Sequence, residues 1–136
     1  MKPKFDVEIV VRLRLVVADA DAVSLPVSLR YKAEDPYAVR ALFSGDGVEI
    51  EWVFARDLLH TGISTPIGDG DVHTWPSWGT GVELLMISLS SPDGQAVLEA
   101  HAVDIRKFLD QTETFVPLGK ESLFMDIEAA ITRLLG

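Results

Sequence analysis

The chain has 136 residues, 48% of them hydrophobic and 24% charged, an ordinary mixture for one globular domain with its own core. Acidic residues outnumber basic ones 21 to 12, for a formal charge of −9. The bases are scattered rather than clustered, which disfavours binding to a nucleic-acid backbone. The absence of cysteine excludes disulfides, thiolate nucleophiles and Cys-based metal sites.

Residues 1–136 are read as a single domain. At the N-terminus, Lys2, Lys4, Asp6, Glu8, Arg12 and Arg14 interrupt any apolar leader. No later run approaches the ~18 apolar residues of a membrane span. A cytoplasmic location is the expectation.

Phe5, Val7, Ile9, Val11, Leu13, Leu15 and Val17 occupy alternate positions with charges between them, the pattern of a half-buried strand. Its length suggests a bend or bulge partway. Asp19-Ala20-Asp21 reads as a turn. Leu25–Tyr31 is the next strand, and Glu34-Asp35-Pro36 the turn after it. Tyr37, Val39, Ala41 and Phe43 alternate again. Ser44-Gly45-Asp46-Gly47 closes a hairpin onto Val48, Ile50, Trp52 and Phe54. Four strands joined by short turns predict an antiparallel meander.

Alternation then stops. Residues 55–62 predict a short helix that Gly62 ends. The Gly- and Pro-rich stretch 65–81 is expected to be loop, with one short strand near Asp71–Trp75. Val82–Ser90 is apolar on both faces, as a strand covered on both sides would be. Ser91-Pro92-Asp93-Gly94 turns the chain back into a strand over Gln95–Ala102. Ile105, Phe108, Leu109 and Thr112 share one helical face. After a loop through Val116-Pro117-Leu118-Gly119, Ile127, Ala130, Ile131 and Leu134 line a final amphipathic helix. The fold class is α+β, mainly an antiparallel meander with a short helix mid-chain and helices at the C-terminus. Strands then a helix, twice over, suggest a pseudo-duplicated architecture without residue identity between the halves.

A search for chemistry yields no catalytic residue, metal site or cofactor site. His60, His73 and His101 have no second histidine at metal-ligand spacing. Gly68-Asp69-Gly70-Asp71 lacks the ligand spacing of a calcium loop and reads as a tight turn. Glu49 and Glu51 share a strand face as a solvated stripe rather than an acid–base pair. The run Trp75–Gly81 has neither a phosphate-binding loop nor a nucleophile elbow. Its tryptophans either plug the sheet or anchor a partner. From expected exposure, the candidate protein-binding residues are Arg56, Asp57 and His60 on the short helix, with Trp75 and Trp78 in the loop. A hydrolase built on His73 and Asp71 is a minor alternative.

Five strings stand in order: Leu25-Pro26-Val27-Ser28-Leu29-Arg30-Tyr31; Asp35-Pro36-Tyr37-Ala38-Val39; Glu51 through Leu59; Gly68-Asp69-Gly70-Asp71-Val72 with Trp75-Pro76; and Leu89-Ser90-Ser91-Pro92-Asp93-Gly94. Together they resemble the SsgA-like proteins, sporulation and cell-division regulators of filamentous actinomycetes, and the SsgB branch in particular. The likeness runs from about residue 8 to the C-terminus. It implies a non-enzymatic regulator at the division septum, with the tubulin-like protein FtsZ and SsgA-type proteins as partners. It further implies a homo-oligomer, a trimer, with a Whirly-like architecture. Whirly folds bind single-stranded nucleic acid, which is the alternative function; the acidic charge argues that this activity does not travel with the fold.

Overall fold

Period-two alternation over the first half produces the expected meander. The computed structural model describes residues 4–17, 22–79, 81–125, 131, 132, 134 and 135. Its first half contains β1 (Val7–Val16), β2 (Val23–Tyr31), β3 (Ala38–Gly45), β4 (Val48–Ala55) and helix α1 (Arg56–Gly62). The second half repeats that order with β5 (Ile67–Asp69), β6 (Val72–Gly79), β7 (Val82–Ser91), β8 (Gly94–His101) and α2 (Ala102–Phe115). A 3₁₀ turn follows at Glu121–Phe124. Each half is an antiparallel meander, and β1 pairs with β8 to join them in one sheet of order β4-β3-β2-β1-β8-β7-β6-β5. The duplicated order anticipated from the sequence is therefore present as topology.

The strand faces follow the alternation. On β1, Val7, Val11 and Leu13 are buried while Glu8, Val10, Arg12 and Arg14 face out. Val27, Leu29 and Tyr31 of β2 and Val39 and Ala41 of β3 continue the buried row. Of the bend or bulge expected in β1, a bulge against β2 is absent, since the register runs unbroken from Val7↔Tyr31 to Leu15↔Val23. Instead β1 has two partners, with β8 taking Leu13–Val16 on the other side. The β3–β4 turn is Asp46-Gly47 with φ of 48° and 76°, both left-handed, as a two-residue hairpin of matching twist requires. Tyr37, expected on β3, lies in the preceding turn and is exposed.

The chain from Trp75 to Gly79 is strand, not loop. It extends β6 to eight residues, paired with β7 from Val72↔Leu89 to Gly79↔Val82. Pro76 is tolerated because β5 covers β6 only at Val72–Thr74, leaving the edge beside Pro76 without a described strand partner. Both faces of β7 are largely buried, as its composition predicted.

Helix α2 packs on β1, β7 and β8, with Ile105, Phe108, Leu109 and Thr112 buried as expected. Helix α1 leaves β4 at one edge of the sheet and packs on β5 and β6 at the other, so the sheet curls around both helices. Gly62 does not end α1 by a left-handed turn: the cap, Ile63, is right-handed at φ −61°. The glycine serves close approach instead. A side chain there would come within 2.7 Å of Thr74 Cβ.

Of the expected last helix, Ile127 and Ala130 lie outside the described residues, as do Ala20 and the aspartates of the turn beside it. Ile131 and Leu134 are helical and exposed.

Candidate functional site

The five residues chosen from expected exposure do not form one surface. Arg56 is a correction: it is 1% exposed, at the first position of α1, where the curled sheet and α2 close over it. Its guanidinium stacks 5.1 Å from the Tyr31 ring centroid. Nη1 donates to the Val116 carbonyl at 2.7 Å and to Thr112 Oγ1 at 3.3 Å, and Nη2 donates to Glu121 Oε1 at 2.7 Å. A buried cation needs such partners, because an uncompensated charge in the interior is strongly destabilising. Arg56 therefore ties α1 to the end of α2 and to the segment after it.

Tyr31 and Glu121 take their protonation behaviour from this cluster. Burial pushes the Tyr31 phenol up to about 12, against the opposing pull of the Arg56 charge. Its hydroxyl donates to the Pro36 carbonyl at 2.8 Å. Burial alone would raise the Glu121 carboxyl, but the Arg56 hydrogen bond, backbone N–H donors and the Arg56 charge hold it below its usual value.

Asp57 and His60 are exposed on α1, and Asp57 Oδ1 accepts from Thr61 Oγ1 at 3.0 Å. Trp75 and Trp78 sit on opposite faces of β6, three residues and roughly 10 Å apart along the strand. Trp75 is half-buried beside Pro66, Ile67 and His73, lining a shallow cleft. Trp78 shares the parity of Thr74, whose side chain meets α1, but is itself 70% exposed. The tryptophans thus neither plug the sheet together nor make one platform.

The other polar candidates stay apart. His60, His73 and His101 are all exposed, and no group of three or more His, Asp or Glu able to hold a metal occurs among the described residues. Asp71 is in the β5–β6 turn, its carbonyl accepting from the Ser90 N–H at 2.9 Å. Glu49 and Glu51 are exposed, and Glu51 pairs with Arg40 at 3.2 Å. On the outer face, Arg30 pairs with Glu8 at 2.6 Å, Arg40 also with Asp35 at 3.2 Å, and Arg14 with Glu99 at 3.7 Å. Carboxylates thus neutralise three of the arginines that a phosphate backbone would need. No helix among the described residues is long and apolar enough to cross a membrane.

Sequence reasoning missed the Arg56–Tyr31–Glu121 cluster. A burial signal for Arg56 is absent locally, since the residues it meets come from 25 positions before it and 65 after.

The arrangement has close relatives. Residues 25–121 match the family described as Streptomyces sporulation and cell division protein, SsgA. A sporulation-specific cell division protein SsgB of Kineococcus radiotolerans is 43% identical over 97% of this chain and 81% of its own. The SsgB of Streptomyces coelicolor is 45% identical over 90% of each. A solved SsgA-like sporulation-specific cell division protein from Thermobifida fusca superposes with a TM-score of 0.85 at 41% identity, covering 98% of this chain and 99% of that one. The expected α+β fold agrees with that structure. With the family match across most of its length and this level of identity to the relatives, the chain belongs to the SsgA family of sporulation and cell division proteins.

Proposed function

We propose that the chain is a non-enzymatic adaptor in sporulation-linked cell division, which recruits or stabilises FtsZ at septum sites together with SsgA-type proteins. The observation that carries this is the identity of 43–45% to relatives named sporulation-specific cell division protein SsgB, over 90% or more of the chain. The scatter of the histidines and carboxylates is consistent with binding rather than catalysis. So is a surface that presents single exposed anchors such as Trp78. The protein acts at the division septum as a homotrimer. Its net charge of −9 and the paired outer-face arginines speak against the alternative of single-stranded nucleic-acid binding.

Co-sedimentation with FtsZ polymers at physiological salt tests the reading. The chain is expected in the pellet, with a change in polymer length; its staying in the supernatant with polymers unchanged would overturn the adaptor role. A light-scattering mass equal to the 14.9 kDa of a single chain would exclude the trimer.

A further inference from the structure

The buried arginine is joined to the turn that follows α2 in an unequal way. Arg56 is 1% exposed and fixed by Thr112 of α2 and by Val116 just after it, whereas Glu121 belongs to a 3₁₀ turn with no buried residue. Leu123 is 75% exposed, Phe124 39% and Met125 40%. The backbone bonds described for this turn are local, Lys120 N–H donating to the Pro117 carbonyl and Leu123 N–H to the Lys120 carbonyl, both at 3.0 Å. The turn leaves the body through Pro117 and Gly119, the latter with φ of 83°.

The contact itself is one-toothed. A carboxylate usually meets the side of a guanidinium through Nε and Nη2 together. Here Nη2 holds Glu121 Oε1, while the buried Nε–H has no hydrogen-bond partner among the described residues. Half of a ready two-bond socket is thus filled.

We propose that Arg56 and Glu121 form a clasp: the Arg56 socket holds residues 120–125 against the body through the Glu121 carboxylate, and opening it frees this turn while the sheet and both helices stay folded. The asymmetry is the argument. Arg56 keeps Thr112, Val116 and the Tyr31 ring when Glu121 leaves, and water entering where the turn lay takes over the charge that the carboxylate had offset. Glu121 takes with it a turn in which Leu123 is largely exposed and Phe124 and Met125 partly so. The clasp therefore puts the position of Leu123-Phe124-Met125 under the control of one ion pair.

Hydrogen exchange on the full chain and on Glu121→Gln tests this. Gln keeps the shape and removes the charge. The expected result is a tenfold or greater loss of protection confined to residues 120–125, with β1, β7 and α2 unchanged. Chymotrypsin cleavage after Leu123 or Phe124 should accelerate in step. Equal loss of protection across α1 and α2 would make the pair an ordinary part of the global core. Unchanged exchange and cleavage at 120–125 would show that Glu121 does not hold the turn. Either result overturns the clasp. Glu121→Asp, one methylene shorter, should loosen the turn as Gln does although it keeps its charge.

Discussion

Thr74 Oγ1 donates to the Leu58 carbonyl at 2.6 Å directly beneath Gly62, so that helix α1 and strand β6 meet with no room for a side chain between them. Thr74 is 1% exposed and its branched side chain has little rotamer freedom with which to withdraw. On helix propensity alone, Gly62→Ala should stabilise by about 1 kcal/mol. The close approach reverses the sign. Overpacking a filled site costs about 1–3 kcal/mol, so the variant should unfold at lower urea with an unchanged denaturant slope. A higher midpoint would mean that β6 gives way freely.

The Tyr31 phenol makes stability depend on pH at the alkaline end. Its folded pKa is pushed up to about 12 by burial, above the unfolded value of 10.0. In alkali the native state therefore holds a proton that the unfolded state releases. The contribution is present in full below pH 10.0 and is lost as the pH rises toward about 12. Two units correspond to roughly 2–3 kcal/mol. In a Tyr37→Phe background, phenolate absorbance should appear only with unfolding. A Tyr31→Phe chain should lose this alkaline slope and, from the missing bond to Pro36, about 1 kcal/mol.

The β3–β4 turn gives a local test. Gly47 has open space around it but a φ of 76°. Gly47→Ala should therefore cost about 1 kcal/mol through backbone strain alone. Gly45, with equal space and no left-handed φ, should tolerate Ala within about 0.5 kcal/mol. Thermal melts of the two variants compare the effects directly; equal losses would mean that the turn is not the two-residue type.

Much of this fold was legible because its strands alternate. Val7 to Leu15 needs one buried face, and the register with β2 follows from that requirement. The second half was harder. β6 passes through Thr74-Trp75-Pro76-Ser77-Trp78-Gly79, where glycine and proline suggest loop, and it stays a strand because β5 pairs only with Val72–Thr74, away from Pro76. Arg56 was illegible for another reason. A seven-residue helix is too short to show a buried stripe, and a charged residue at its first position reads as solvated. What buries Arg56 is the packing of α2 and the turn at Glu121, long-range facts that no local window contains.

The split between Trp75 and Trp78 bears on where a partner binds. Trp78 is 70% exposed, so Trp78→Ala should leave stability within about 0.5 kcal/mol. If it anchors the partner, the same change should weaken FtsZ co-sedimentation roughly tenfold or more, the effect of losing an interface aromatic. Trp75 is half-buried in the row that pairs it with Met86 and onward with Glu99. Trp75→Ala should therefore lower the melting temperature. Its binding, compared where both chains are folded, should fall only if the partner covers the outer face. The opposite faces of the two side chains make the pair of variants a directional probe. Loss with Trp78→Ala alone places the partner on the face of β6 that Trp78 shares with Thr74. Loss with Trp75→Ala alone places it over the His73 cleft. Binding unaffected by either change would remove β6 from the interface altogether.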